Sequence, residues 1–121
     1  MKNTDDSLSE IQIQAKAYQY LHNNYPQLRG LLFHVPNGGN RNKIEGMQLK
    51  AAGVIPGVPD LLLVWRGKVN WIEVKTTSGS VSPIQAHIHQ VWVENGAKGT
   101  IARSAEEIIE FVLDMIGENP K

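Results

Sequence analysis

Two carboxylates and an amine are set into the most apolar stretch of this 121-residue chain. They are Asp60, Glu73 and Lys75, within GVPDLLLVWRGKVNWIEVK at positions 57–75. Two acids beside one lysine suit a divalent cation: carboxylate oxygens are hard ligands for Mg²⁺, and the amine can orient or deprotonate a water. The plain alternative is a salt-bridge cluster in which Lys75 neutralises both acids. Residues 61–64 read as buried on both faces, and charges in such a place are costly unless they act.

What must position the three groups is a hairpin. Strands over about 60–65 and 69–75, joined through Arg66-Gly67 or a four-residue loop from Trp65 to Lys68, pair residues whose numbers sum to 133. Val64 then faces Val69, Leu62 faces Trp71 and Asp60 faces Glu73, with directly opposed Cβ atoms about 4.5–5.5 Å apart. Glu73 and Lys75 are two residues apart and so share a face with each other and with Asp60. A three-residue loop would break this register.

Around the hairpin the elements follow from period and punctuation. Leu8, Ile11, Ala15, Tyr18 and Leu21 recur at helical spacing over about 8–23. Residues 31–35 form a short strand ending at Pro36, and 37–43 a loop rich in asparagine and glycine. Residues 44–52 form a short helix stopped by Gly53, before an irregular segment broken by Pro56 and Pro59. Ser82-Pro83 opens a second long helix to about Asn95-Gly96, and residues 99–102 form a strand. Ser104 caps a last helix to about Gly117, with Glu107 completing a capping box and Ile108, Ile109, Val112, Leu113 and Ile116 facing inward. This order predicts an α/β domain, one mixed β-sheet with helices on both faces.

Composition narrows the setting. The length fits one domain over residues 1–121. Cysteine is absent, which excludes disulfides and thiolate metal sites and fits a reducing, cytoplasmic environment. No apolar run reaches the ~20 residues of a membrane span. Net charge is zero, but residues 29–75 carry seven basic against three acidic side chains, whereas 76–121 carry three against six. Arg41, Lys43 and Lys50, with Asn37 and Asn40, are candidates to hold phosphates; such contacts would position a nucleic acid without reading its sequence. His34 reads as structural, and the histidine spacing offers no zinc motif. Trp65, Trp71 and Trp92 read as core. Gly57 is not followed by a phosphate-loop lysine pattern.

Pro59-Asp60, thirteen residues later Glu73-Val74-Lys75, is similar to the signature of the PD-(D/E)XK nucleases. The longer string Gly53-Val54-Ile55-Pro56-Gly57-Val58-Pro59-Asp60-Leu61 resembles the VRR-NUC branch of that superfamily, and the likeness runs from about Glu10 to about Ala102. It implies a restriction-endonuclease-like core. Asp60, Glu73 and the Val74 carbonyl would bind Mg²⁺ or Mn²⁺, and Lys75 would position the attacking water in phosphodiester hydrolysis. A family acid on the first helix matches Glu10, which a Ser7–Glu10 capping box explains equally well. A family glutamine matches Gln85, which a Ser82–Gln85 capping box also explains. His89 stands where some relatives carry Tyr. Stand-alone members of the branch are similar to homodimeric endonucleases that cut branched DNA such as four-way junctions, in bacteria or phage-infected cells. Nicking or restriction-type cutting of linear DNA, or a non-catalytic DNA-binding module of the same fold, are the competing readings.

Overall fold

Ser9 caps the first helix, which begins at Glu10, two residues later than the apolar period suggests. The structure is a computed structural model that describes Asp5 and residues 7–36 and 42–121. Helix α1 spans Glu10–Asn24, and its capping box joins Ser9 to Gln12, not Ser7 to Glu10. The Ser9 hydroxyl accepts the Gln12 N–H at 3.3 Å and the Gln12 Oε1 accepts the Ser9 N–H at 2.9 Å. Glu10 therefore becomes the first helical residue, with no part in the cap.

A 3₁₀ turn at Pro26–Leu28 leads into strand β1, Leu32–His34, and helix α2 follows at Lys43–Ala51. Strands β2, Leu61–Trp65, and β3, Lys68–Val74, form the hairpin. Helix α3 is Pro83–Glu94, strand β4 Lys98–Ala102 and helix α4 Ala105–Ile116. Among the described residues the sheet has the order β1-β2-β3-β4, with β1 and β3 antiparallel to β2 and β4 parallel to β3. Returning from β3 to a parallel neighbour requires a crossover, and α3 supplies it.

The hairpin has the register its turn residues require. Arg66 and Gly67 both take positive φ, 50° and 82°, as a two-residue turn of the primed class demands. Leu61 pairs with Ile72, Leu62 with Trp71 and Val64 with Val69. One face then carries Leu61, Leu63, Ile72 and Val74, all buried against Ile13, Ala17 and Leu21 of α1 and Ile108 and Val112 of α4. Ile109 and Ile116, expected inward, are half-buried at the margin of that core. The α4 cap also differs from expectation: Ser104 accepts the Glu107 N–H, but the Glu107 carboxylate accepts from Arg103 N–H rather than from the cap residue.

The opposite face carries Leu62, Val64, Trp71, Glu73 and Lys75, and α3 packs on it at the β4 side, reaching Trp71 and Glu73 through His89. Here the expectation that residues 61–64 are buried on both faces is wrong: Leu62 is half-buried and Val64 is 37 % exposed. Helix α3 contributes one buried residue, His89. Helices thus flank both faces of a mixed sheet, but only one side is a packed apolar core. No helix among the described residues is long and apolar enough to cross a membrane.

Candidate active site

Asp60 and Glu73 meet one step beyond the Leu61–Ile72 pair, as the register demands. Asp60 immediately precedes β2 and is held from both backbone and side chain. Its carbonyl accepts the Val35 N–H at 2.9 Å and the His34 Nδ1–H at 2.8 Å. Its Oδ2 accepts the Val74 N–H at 2.8 Å. Since the N–H and C=O of one strand residue point to the same side, the Val74 carbonyl is also directed towards Asp60.

Glu73 is 1 % exposed and hydrogen-bonded on several sides. It shares a hydrogen bond with the Asp60 carboxyl. Its Oε1 lies 2.9 Å from His89 Nε2, and Gln85 Nε2 approaches Oε2 at 3.5 Å, the outer limit of a hydrogen bond. Burial, then the hydrogen bond and charge of Asp60, push the Glu73 carboxyl up from 4.5 to about 9, against the opposing charge of Lys75. Glu73 is accordingly held in its protonated form at neutral pH. Burial and the Lys75 charge hold His89 below its ordinary value, so its contact with Glu73 is a neutral Nε2–H donating to oxygen, not an ion pair.

Lys75 is 7 % exposed, with its backbone N–H on the Ala102 carbonyl at 2.9 Å. Its ammonium makes no ion pair among the described residues, so the salt-bridge cluster is not formed. Two facing carboxyl groups, with Glu73 held in its protonated form, fit a divalent cation, which would replace that proton and offset the like-charge repulsion. No three acidic or histidine side chains among the described residues converge on one point. Such a pair, completed by a backbone carbonyl and waters, suits Mg²⁺ better than an all-protein cage would.

A cavity of about 540 Å³ opens at this end of the sheet, lined among others by Glu10, Gln14, His34, Gly57, Asp60 and Gln85. The N-termini of α1 and α3 both border it, and helix N-termini favour anions. Gly57 permits the irregular segment to close against α3: with φ of 87°, a Cβ there would fall 2.6 Å from Ile84 Cγ2.

Asp60, Glu73, Lys75 and Gln85 are therefore brought together, and Glu10 faces the same cavity from α1. Gln85 does not have to be either a cap or a site residue. Its Oε1 accepts the Ser82 N–H at 2.9 Å while its Nε2 points to Glu73. Lys43 and Lys50 lie on α2, a helix with no buried residue, away from the carboxylates. Asn37, Asn40 and Arg41 fall outside the described residues. His34 is exposed and lines the cavity, with its Nδ1 on the Asp60 carbonyl.

Three contributions escaped the sequence reading. His89 stacks on Trp71, ring centroids 4.4 Å apart and planes 19° off parallel, and so braces Glu73 from behind. The indole in turn lies against Gly99, where a Cβ would fall 1.7 Å from the ring. Gly99, Trp71, His89 and Glu73 form one column, and the Trp71 Nε1 stays buried without a partner. Trp65 and Trp92 are only half-buried. Arg103 donates to the carbonyls of Thr76 at 2.8 Å and Gly79 at 2.6 Å, pinning the turn that follows Lys75. Only the i, i+4 spacing of Gln85 and His89 signalled any of this.

No protein-family model and no curated protein matches the chain by sequence. A solved structure described as a VRR_NUC domain protein superposes with a TM-score of 0.77 at 21 % identity, covering 92 % of this chain and 90 % of that one. A second, described as a VRR_NUC domain, gives 0.49 at 21 % identity, covering 88 % and 96 %. The first likeness shows that this chain has the VRR-NUC fold, a restriction-endonuclease-like α/β architecture.

Proposed function

We propose that residues 1–121 are a single nuclease domain that hydrolyses DNA phosphodiester bonds with a divalent cation. The observation that carries this reading is the facing pair Asp60–Glu73, with Glu73 buried beside the unpaired ammonium of Lys75 and Asp60 lining a cavity between two helix N-termini. Asp60, Glu73 and the Val74 carbonyl would hold Mg²⁺ or Mn²⁺, which supplies charge neutralisation at the scissile phosphate and a water of lowered pKa. Glu10, which lines the same cavity, would be a further acid for the ion.

The chain's own residues do the rest. Val74 N–H fixes one Asp60 oxygen and so holds the carboxyl, which lines the cavity, in place. Neutral His89 donates to Glu73 and keeps it from rotating. Gln85 holds the second Glu73 oxygen while its own cap orients α3 towards the phosphate. Lys75, free of a carboxylate partner, is available to orient the attacking water and to stabilise charge on the phosphoryl oxygens. Lys43 and Lys50, with Asn37 and Arg41, contact the DNA backbone and add affinity without sequence information.

The substrate is branched DNA, four-way junctions included, and the active form is a homodimer, because paired cuts across a branch need two sites related by symmetry. The exposed apolar residues of α2, Ile44 at 69 % and Met47 at 63 %, with no buried residue on that helix, support a second copy packing there. A panel of linear, flap, fork and four-way junction DNAs in Mg²⁺, Mn²⁺ or EDTA tests the reading. Cutting of branched forms in either metal and none in EDTA is the expected pattern. Activity in EDTA would sink the metal mechanism, and equal cutting of linear DNA would restore the nicking or restriction-type alternative.

A further inference from the structure

A second cavity, of about 340 Å³, runs between α1 and the edge strand β1. It shares Ile11, Gln14 and His34 with the first, so the two are continuous. Resting on the nuclease reading, we infer that this groove seats one unpaired nucleobase of the DNA beside the bond being cut.

The walls match a base in shape and polarity. Ile11, Ala15 and Tyr18 come from one side of α1, and Phe33 and His34 from β1. Apolar and aromatic surfaces accept any base by stacking, without selecting its identity. The volume lies in the range of small-ligand sites, about 300–1,000 Å³, and is ample for one base with its sugar.

Gln14 is the independent pointer to a ligand. It is 7 % exposed, it lines both cavities, and its amide has no hydrogen-bond partner among the described residues. The amide is not sealed in the core: its polar atoms keep access to the cavities, open to an incoming partner. An amide offers two donors and an acceptor, the complement of a base edge. What little of Gln14 remains exposed lies in the cavities it lines, where such an edge would arrive.

The groove is also wired to the carboxylates. A carbonyl only accepts, so the bond to Asp60 O fixes the proton of His34 on Nδ1 and locks the ring between groove and site. A base seated against His34 therefore sets the register of the strand relative to Asp60. In an intact duplex a base is stacked and paired and reaches such a groove only at a cost of a few kcal/mol. At a flap, fork or open junction that cost is least. The groove would thus select DNA with an unpaired nucleotide next to the scissile phosphate, whatever its sequence.

The test uses forked DNA with 2-aminopurine placed at successive nucleotides through the branch point, mixed with the wild-type protein in EDTA and in Mg²⁺. One position should lose fluorescence on binding. Replacing that base with an abasic nucleotide should raise KM about tenfold, the scale of one stacked base, with kcat unchanged. Gln14→Leu removes the amide and Ala15→Phe fills the groove from the helix, and each should abolish the fluorescence change at that position. If DNA is bound and cut but no position responds, or if the signal survives Ala15→Phe, the inference is overturned. A shift in oligomeric state of Ala15→Phe by light scattering, without a fluorescence response in wild type, would assign the groove to a second copy and also overturn it. Absence of cutting in Mg²⁺ would fail the nuclease reading instead, and the binding signal in EDTA still decides the groove.

Discussion

The two faces of the sheet divide the labour of this molecule. Under α1 and α4, Leu61, Leu63, Ile72 and Val74 are fully buried in the apolar core, with Asn70 as the one polar side chain set beside them on β3. Under α3, the same two strands present Glu73, Lys75 and Trp71, and the helix above them buries one histidine. Strand geometry makes this possible, because alternate residues of β3 go to opposite faces. The packed face supplies the rigidity, and the sparse face can then carry groups that oppose folding. Polar and ionisable groups buried side by side are tolerable in β3 because the residues between them anchor it.

If that division is right, the faces should respond to substitution in opposite currencies. On the functional face, Asp60→Ala or Lys75→Ala should lower cleavage by about 10³-fold, in line with loss of a principal electrostatic group, with little change in melting. Glu73→Gln should be as inactive yet fold as well as wild type at neutral pH, because the native side chain is already uncharged there. On the packed face, Leu63→Ala should cost about 2–5 kcal/mol of stability, read by denaturant unfolding, and leave the folded fraction active. A Leu63→Ala protein that unfolds normally but cannot cut would break the comparison.

Gly99 tests the one place where the sparse face is tightly built. Gly99→Ala drives a methyl into the Trp71 ring, and overpacking of this kind costs about 1–3 kcal/mol. The shift should pass through His89 to Glu73, so Mg²⁺ affinity by calorimetry should fall more than stability does. His89→Asn, which keeps a donor but loses the stack, should lose metal affinity in the same direction. Unchanged affinity in both variants would reduce the column to packing.

Much of this was legible in the chain. The sum-to-133 register, the turn at Arg66-Gly67 and the Asp60–Glu73 encounter follow from period two and turn chemistry, which are local rules. The Ser82–Gln85 box was legible for the same reason. The start of α1 was misplaced because Ser7 and Ser9 both qualify as caps, and only backbone geometry chooses between them. Val64 misled because an apolar strand residue looks the same whether a helix covers it or not. Gly99, His89 and Arg103 act through contacts distant in sequence, and nothing in their own neighbourhoods announces a partner. The proton on Glu73 belongs to this class too, since it depends on burial that the sequence does not state.

That proton gives the gentlest test. A carboxyl whose folded value lies above its unfolded one binds more protons in the native state between about 4.5 and about 9. Its contribution to stability is therefore fully present below the unfolded value and is lost as pH rises through about 9. Metal-free wild type should lose stability across that window, by at most about 1.4 kcal/mol per pH unit from this group. Glu73→Gln should lack that slope. Cation binding requires the carboxylate, so it must expel the Glu73 proton, and apparent Mg²⁺ affinity should rise by up to about tenfold per pH unit below 9. Calorimetry in two buffers of different ionisation heat counts the proton directly. One proton released per ion below about pH 8 is the expected result; none released would mean that Glu73 is already ionised and that the sparse face carries its charge openly.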